Sequence, residues 1–258
     1  MDDYGLRGAS VILTRPAGGA AALAAAVRRA GGVPVLLPGL SLSSAEDAAV
    51  VRAQLRSAQR ADLVLFTSPA AVRFAWRLAP TLAFARRVQV GAVGAGTAAA
   101  LARRGTAVAL VPDQPDSAGL LALPALACVR DRRIAVIGAP GGRNLLVPGL
   151  RRRGATVERI DVYRRRAPRW TRHHLAALDA APSPWLLLVS SAEALDHIAT
   201  ALPPGLAPAL RRAETVVSSA RLAGRAHEHG FERVHLARSA LGHDLIAAAT
   251  AALARHRL

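Results

Sequence analysis

Lysine is absent from this chain of 258 residues, so all 34 of its strongly basic side chains are arginine. Without lysine there is no Walker GxxxxGK[ST] loop for a nucleoside triphosphate. Cysteine occurs once, at Cys128, which excludes an internal disulfide framework and a cysteine-rich metal site, and suits a reducing compartment. Aromatic residues make up only 3%, so the core is expected to be aliphatic. No apolar run reaches membrane-spanning length without an arginine or a proline interrupting it. The opening MDDYGLRGASVILTRP is acidic, then meets arginine early, unlike a secretory leader. A cytoplasmic protein with no membrane partner is the expectation.

Hydrophobic residues reach 52% and charged ones 20%, a composition that builds a core and argues against disorder. The formal net charge is +17. Pairs such as Arg28-Arg29, Arg103-Arg104 and Arg211-Arg212 read as solvated helix faces, yet the summed field still attracts polyanions. The arginines are scattered and aromatic interleaving is nearly absent, so no dedicated nucleic-acid site is expected.

Short β-rich runs alternate with alanine-rich helical stretches. Strands are expected at 10–14, 33–38, 62–68, 88–94, 108–112, 133–138, 156–163, 185–191, 214–219 and 233–237. Between them lie helical stripes such as Leu23, Val27 and Ala30, which Gly31 ends. This alternation predicts an α/β fold of doubly wound parallel sheets. The sequence also repeats in order. SVILTRPAGG matches IAVIGAPGG, LVLFTSPAAV matches LLLVSSAEAL, and VGAVGAGTAAALARRG matches ETVVSSARLAGRAHEHG, all at an offset of about 124 residues. That period is too long for a solenoid and marks two related halves.

Open α/β sheets bind ligands beyond the carboxyl ends of their strands, where helix N-termini present free N–H groups. The turns there are Thr14-Arg15-Pro16, Thr67-Ser68-Pro69, Gly94-Ala95-Gly96-Thr97, Gly138 to Arg143, Ser190-Ser191 and Ser218-Ser219-Ala220-Arg221. Taken singly they are ordinary caps: Ser68 precedes proline at the first helical position, and Ser190 with Glu193 reads as a capping box. As a set, with three arginines nearby, they make anion cups suited to a ligand cleft between the halves. GAVGAG (91–96) lacks the third glycine and the later acid of a dinucleotide fingerprint. His227-Glu228-His229 and His173-His174 lack metal-site spacing, and Cys128 reads as core. Tyr163, one of two tyrosines, closes a strand just before RRRAPRW. It is either an interfacial packing residue or a phenol available to a leaving group.

These residues together resemble the uroporphyrinogen-III synthase family. The pieces are ILTRP (12–16), LFTSPAAV (65–72), VGAGTAAALARRG (93–105), DSAGLLALPAL (116–126), GGRNLL (141–146), LRRRGATVERIDVYRR (150–165) and the Ser219-Ala220-Arg221 turn. The resemblance implies a bilobed α/β fold of two related doubly wound parallel-sheet domains. One lobe is 1–38 plus 166–258 and the other 39–165, with linker strands near 39–42 and 162–165. The first strand–helix–strand unit of each copy then packs with the other copy's remainder. It also implies cyclisation of hydroxymethylbilane, a linear tetrapyrrole with eight carboxylates, with ring D inversion and loss of water. No metal or organic cofactor is implied. Tyr163 is carried over as the catalytic residue assisting hydroxyl departure. Substrate binding falls to Thr14, Arg15, Ser68, Gly94, Gly96, Thr97, Gly141, Gly142, Arg143, Ser191, Ser219 and Arg221, with main-chain N–H groups carrying much of it. Pro148-Gly149 reads as an interruption of the helix after GGRNLL. A monomer is expected, with a transient contact to the deaminase that makes the substrate as a candidate partner interaction. The alternative is a non-catalytic binder of a polycarboxylate tetrapyrrole, or another small polyanion, on the same fold.

Overall fold

The structure is a computed structural model and describes residues 5–141 and 145–256. Among them the strands are β1 (Ser10–Leu13), β2 (Val33–Leu36), β3 (Ser41–Ser44), β4 (Leu63–Phe66), β5 (Gln89–Ala92), β6 (Arg133–Gly138), β7 (Thr156–Asp161), β8 (Tyr163–Arg166), β9 (Trp185–Val189), β10 (Glu214–Val217) and β11 (Arg233–Leu236). The α-helices are α1 (Ala21–Arg29), α2 (Ala48–Ala58), α3 (Pro69–Leu78), α4 (Ala95–Ala102), α5 (Ser117–Ala122), α6 (Leu146–Arg152), α7 (Arg172–Asp179), α8 (Ala192–Ala201), α9 (Ala207–Arg211), α10 (Ala220–Glu228) and α11 (Gly242–His256). The chain divides into two units: Met1–Ser41 with Arg166–Leu258, and Leu42–Arg165. It passes between them twice, along β3 and β8, which pair with each other.

The first unit holds a parallel sheet in the order β11-β10-β9-β1-β2. Its inner strands β1, β9 and β10 are buried almost throughout because both faces are covered. Val11, Leu13, Leu186, Leu188 and Val216 pack against α1 and α11. Ile12, Val35, Leu187, Val189 and Val217 pack on the other face against α7 to α10. The second unit holds a parallel sheet in the order β5-β4-β6-β7. Phe66, Val90 and Ile137 meet α2 to α4 on one face, and Leu65, Ile134 and Val136 meet α5 and α6 on the other. Phe66 is fully buried beside Trp76 and Phe84, a burial that contributes about 2–3 kcal/mol.

The internal repeat maps strand onto strand. β1 corresponds to β6, β4 to β9 and β5 to β10, and these pairs occupy equivalent places in the two sheet orders. The unit β1–α1–β2 of the first copy therefore sits beside β9 of the second copy, while β6–α6–β7 of the second sits beside β4 of the first.

Four sequence expectations are corrected. Residues 108–112 form no strand: Leu110 makes a single parallel bridge to Gly91, and Pro112 has no N–H with which to extend the ladder. Ser191 caps α8 instead of Ser190, its Oγ accepting from Ala194 N at 3.3 Å. Cys128 is exposed, since Leu126 and Val129 take the buried positions of that turn. Pro148 does not break the helix after GGRNLL. α6 begins at Leu146, which places Pro148 at the third position, where an N–H has no intrahelical partner to lose. Gly149 packs beneath Leu121, whose Cδ1 would lie 2.8 Å from an added Cβ.

Candidate active site

In a parallel sheet every strand delivers its carboxyl end to one edge, so each unit has one rim where turns and helix N-termini gather. Most of the sequence-derived site residues fall on these two rims.

In the second unit, β4 ends at Phe66 and Ser68 caps α3, its Oγ accepting from Ala71 N at 3.0 Å. The chain leaves the carboxyl end of β7 through Val162 and brings Tyr163 to the same place. Tyr163 Oη lies 3.2 Å from Ser68 Oγ. The Tyr163 ring is 4% exposed and stacks on Phe74, with centroids 5.3 Å apart and an interplanar angle of 17°. Phenol position is therefore fixed by a ring stack and a capping serine, both set by α3. Gly94 caps α4 and Thr97 is buried in its first turn. Gly96 is exposed beside α3, with Pro69 Cγ 3.8 Å from where a Cβ would stand.

Beside this pair is a cavity of about 170 Å³ whose lining includes Thr67, Ser117, Gly138, Gly141, Arg159 and Arg165. Two glycines leave it open. A Cβ at Gly138 would stand 2.4 Å from Thr67 Oγ1, and Gly141 has φ +83°, a conformation that disfavours any side chain. Arg159 Nε meets Asp161 Oδ1 at 2.9 Å, and its NH2 donates to Ala139 O at 2.6 Å. Arg165 NH1 donates to Pro140 O at 3.3 Å. An adjoining cavity of about 200 Å³ shares Thr67 and Ser117 but carries Asp116, whose carboxylate accepts from Gly119 N and Gln114 Nε2.

In the first unit, Thr14 is buried and its hydroxyl donates to Leu188 O at 2.8 Å, tying β1 to β9. The Arg15 guanidinium donates to Ala240 O, and burial holds it below the ordinary arginine value. Ser191 and Ser219 cap α8 and α10. Arg221 lies exposed in the first turn of α10.

The structure thus brings together Ser68 and Tyr163 directly, with Gly94, Gly96, Thr97 and Gly141 on the same rim. Thr14, Arg15, Ser191, Ser219 and Arg221 occupy the rim of the first unit. Gly142 and Arg143 lie outside the described residues. Sequence reasoning passed over Ser117, Arg159 and Arg165, and took Thr67 only as part of a turn. The signal for Arg159 and Arg165 was present in the quoted stretch LRRRGATVERIDVYRR, where six arginines stand with nothing in their type to rank them.

A family model described as Uroporphyrinogen-III synthase HemD matches residues 21–247. The uroporphyrinogen-III synthase of Salmonella typhimurium is 28% identical over 243 residues, covering 90% of this chain and 96% of that protein. Among solved structures, a mutant uroporphyrinogen III synthase from the extremely thermophilic bacterium Thermus thermophilus superposes with a TM-score of 0.58 at 20% identity, over 96% of this chain and 99% of that one. The uroporphyrinogen-III synthetase of Helicobacter pylori gives 0.59 at 13% identity, over 98% and 100%. At these identities the structures speak for the shared bilobed α/β fold. The family match spans most of the sequence, and the chain belongs to the uroporphyrinogen-III synthase family of enzymes.

Proposed function

We propose that this chain cyclises hydroxymethylbilane to uroporphyrinogen III, with inversion of the fourth ring and loss of water. The observation that carries this reading is the family match over residues 21–247. The hydroxyl of the hydroxymethyl group leaves, and the pyrrole N–H of the same ring gives up the proton that completes water, which generates an azafulvene. The substituted carbon of ring D attacks it to form a spiro intermediate, which fragments and recloses as the type III isomer. Uncatalysed closure gives the type I isomer, so the protein's task is to hold a conformation from which one closure outruns the other.

Tyr163 is suited to assist the first step. Ser68 Oγ already accepts from the Ala71 N–H. When the Ser68 hydroxyl in turn donates to Tyr163 Oη, 3.2 Å away, the phenolic proton is left to point at a departing hydroxyl. The chain of donors begins at a helix N-terminus, so each bond polarises the next. The remaining rim residues, Thr14, Arg15, Gly94, Gly96, Thr97, Gly141, Ser191, Ser219 and Arg221, supply amides, hydroxyls and guanidinium groups for carboxylates. The enzyme works as a cytoplasmic monomer, receiving its substrate through a transient contact with the deaminase that makes it.

The test mixes the protein with a hydroxymethylbilane-generating system, oxidises the products and separates the porphyrin isomers. A predominance of type III supports the reading, and type I alone overturns it.

A further inference from the structure

The cavity of about 170 Å³ on the rim of the second unit touches the residues given a part above only at Gly141, and its two arginines, Arg159 and Arg165, have no part there. At ~30 Å³ for each water it has room for roughly six. That is enough for one short carboxylate arm. Its walls are built for charge. Arg159 and Arg165 line it, and Arg159 is paired with Asp161 at 2.9 Å. Arg165 uses one nitrogen, NH1, on Pro140 O at 3.3 Å, which leaves further donors of its planar fork for a carboxylate. Ser117, half-buried, adds a hydroxyl-bearing residue to the lining.

The adjoining cavity sharpens the sorting. It shares Thr67 and Ser117, yet Asp116 gives it a negative wall, so an anionic arm at the divide is drawn to the arginine side. Arg165 also stands two residues after Tyr163 on β8, and residues i and i+2 of a strand share a face. An arm held by Arg165 is therefore tethered to the same strand face as the phenol.

The geometry points to this cavity as a carboxylate-arm subsite, in which Arg165 binds one acetate or propionate arm of the tetrapyrrole and sets the substrate's placement against Tyr163. The inference rests on the reaction proposed above. Arg159 acts as the inner wall, its guanidinium oriented by Asp161 and by Ala139 O.

The experiment measures steady-state kinetics and isomer ratio for wild type, Arg165→Ala, Arg165→Lys and Asp116→Asn, with thermal melting as the folding control. Arg165→Ala is expected to raise KM about tenfold, as for a lost charge-assisted bond, with a smaller fall in kcat. Its KM should also depend less on ionic strength than that of wild type. Arg165→Lys should recover part of the KM, because it restores charge without the fork. Asp116→Asn removes the repelling carboxylate of the adjoining cavity and should lower KM. If wild type yields the type III isomer while Arg165→Ala keeps the wild-type KM and salt dependence, the subsite is overturned and the reaction stands. If wild type yields only type I, the reaction reading itself fails. A rise in KM that Arg165→Lys does not relieve, accompanied by a lowered melting temperature, assigns Arg165 to holding the Pro140 turn and overturns the subsite.

Discussion

Tyr163 Oη and Ser68 Oγ stand 3.2 Å apart although 95 residues separate them in the chain, and the pair joins β8 to the N-terminus of α3. Replacing Tyr163 by Phe keeps the stack on Phe74 and removes only the hydroxyl. We expect the variant to lose about 1 kcal/mol of stability for the missing bond. Under the proposed mechanism kcat falls by at least tenfold while KM moves little. Equal losses in both would count against leaving-group assistance.

Ser68→Ala removes two things at once: the cap on α3 and the partner of Tyr163. Cap loss costs about 1 kcal/mol. A double-mutant cycle with Tyr163→Phe separates the terms. We expect a coupling of roughly 0.5 kcal/mol or more in stability, and a larger one in kcat if the donor chain is polarised as described. Additive effects on both quantities would show that the two hydroxyls act independently.

Much of the fold was legible because parallel strands covered on both faces are apolar throughout. Runs such as LVLF (63–66) and WLLLV (185–189) therefore stand out, and their matching neighbours reveal the repeat. The rest depended on contacts that one sequence does not display. Ser190 and Ser191 are equivalent by type, and only the helix register chooses Ser191. Cys128 falls between Leu126 and Val129, and the turn itself decides which of them point inward. VALVP (108–112) has strand composition, yet it makes one bridge at the edge of its sheet.

The site shows the same division. Ser68 and Tyr163 were readable as a helix cap and a rare aromatic at a strand end. The arginine-lined cavity was not, because it exists only where Gly138 lets Thr67 close on β6 from 71 positions away. With 34 arginines in the chain, residue type could not single out Arg159 or Arg165.

Gly119→Ala tests the first turn of α5, which follows Asp116 and carries Ser117. Gly119 sits in the first turn of α5 with the Gln114 carbonyl oxygen 2.1 Å from where a Cβ would be, so the added methyl group must move backbone. Its N–H also donates to Asp116 at 2.8 Å. We expect a loss of about 1–3 kcal/mol, as for overpacking. Chemical denaturation measures it, and a neutral result would mean that the 114–119 loop shifts without cost.

The last prediction concerns acid. Asp196 on α8 is partly buried, which by itself raises its carboxyl pKa. Hydrogen bonds from Arg225 of α10 and from His229, which follows that helix, outweigh that effect and hold it below the ordinary value. A carboxylate with a depressed folded-state pKa adds stability that is present above its unfolded value, about 3.9, and is lost as pH falls through the folded one. Over that window the unfolded chain binds more protons, so stability rises with pH. Asp196→Asn removes this contribution: the variant should be less stable than wild type near neutrality and should converge on it as pH falls below about 4. Melting temperatures of the two proteins from pH 7 to pH 3 check this. A gap that stays constant with pH would mean that the Asp196 carboxylate gains nothing from Arg225 and its other hydrogen-bond partner and acts through packing alone.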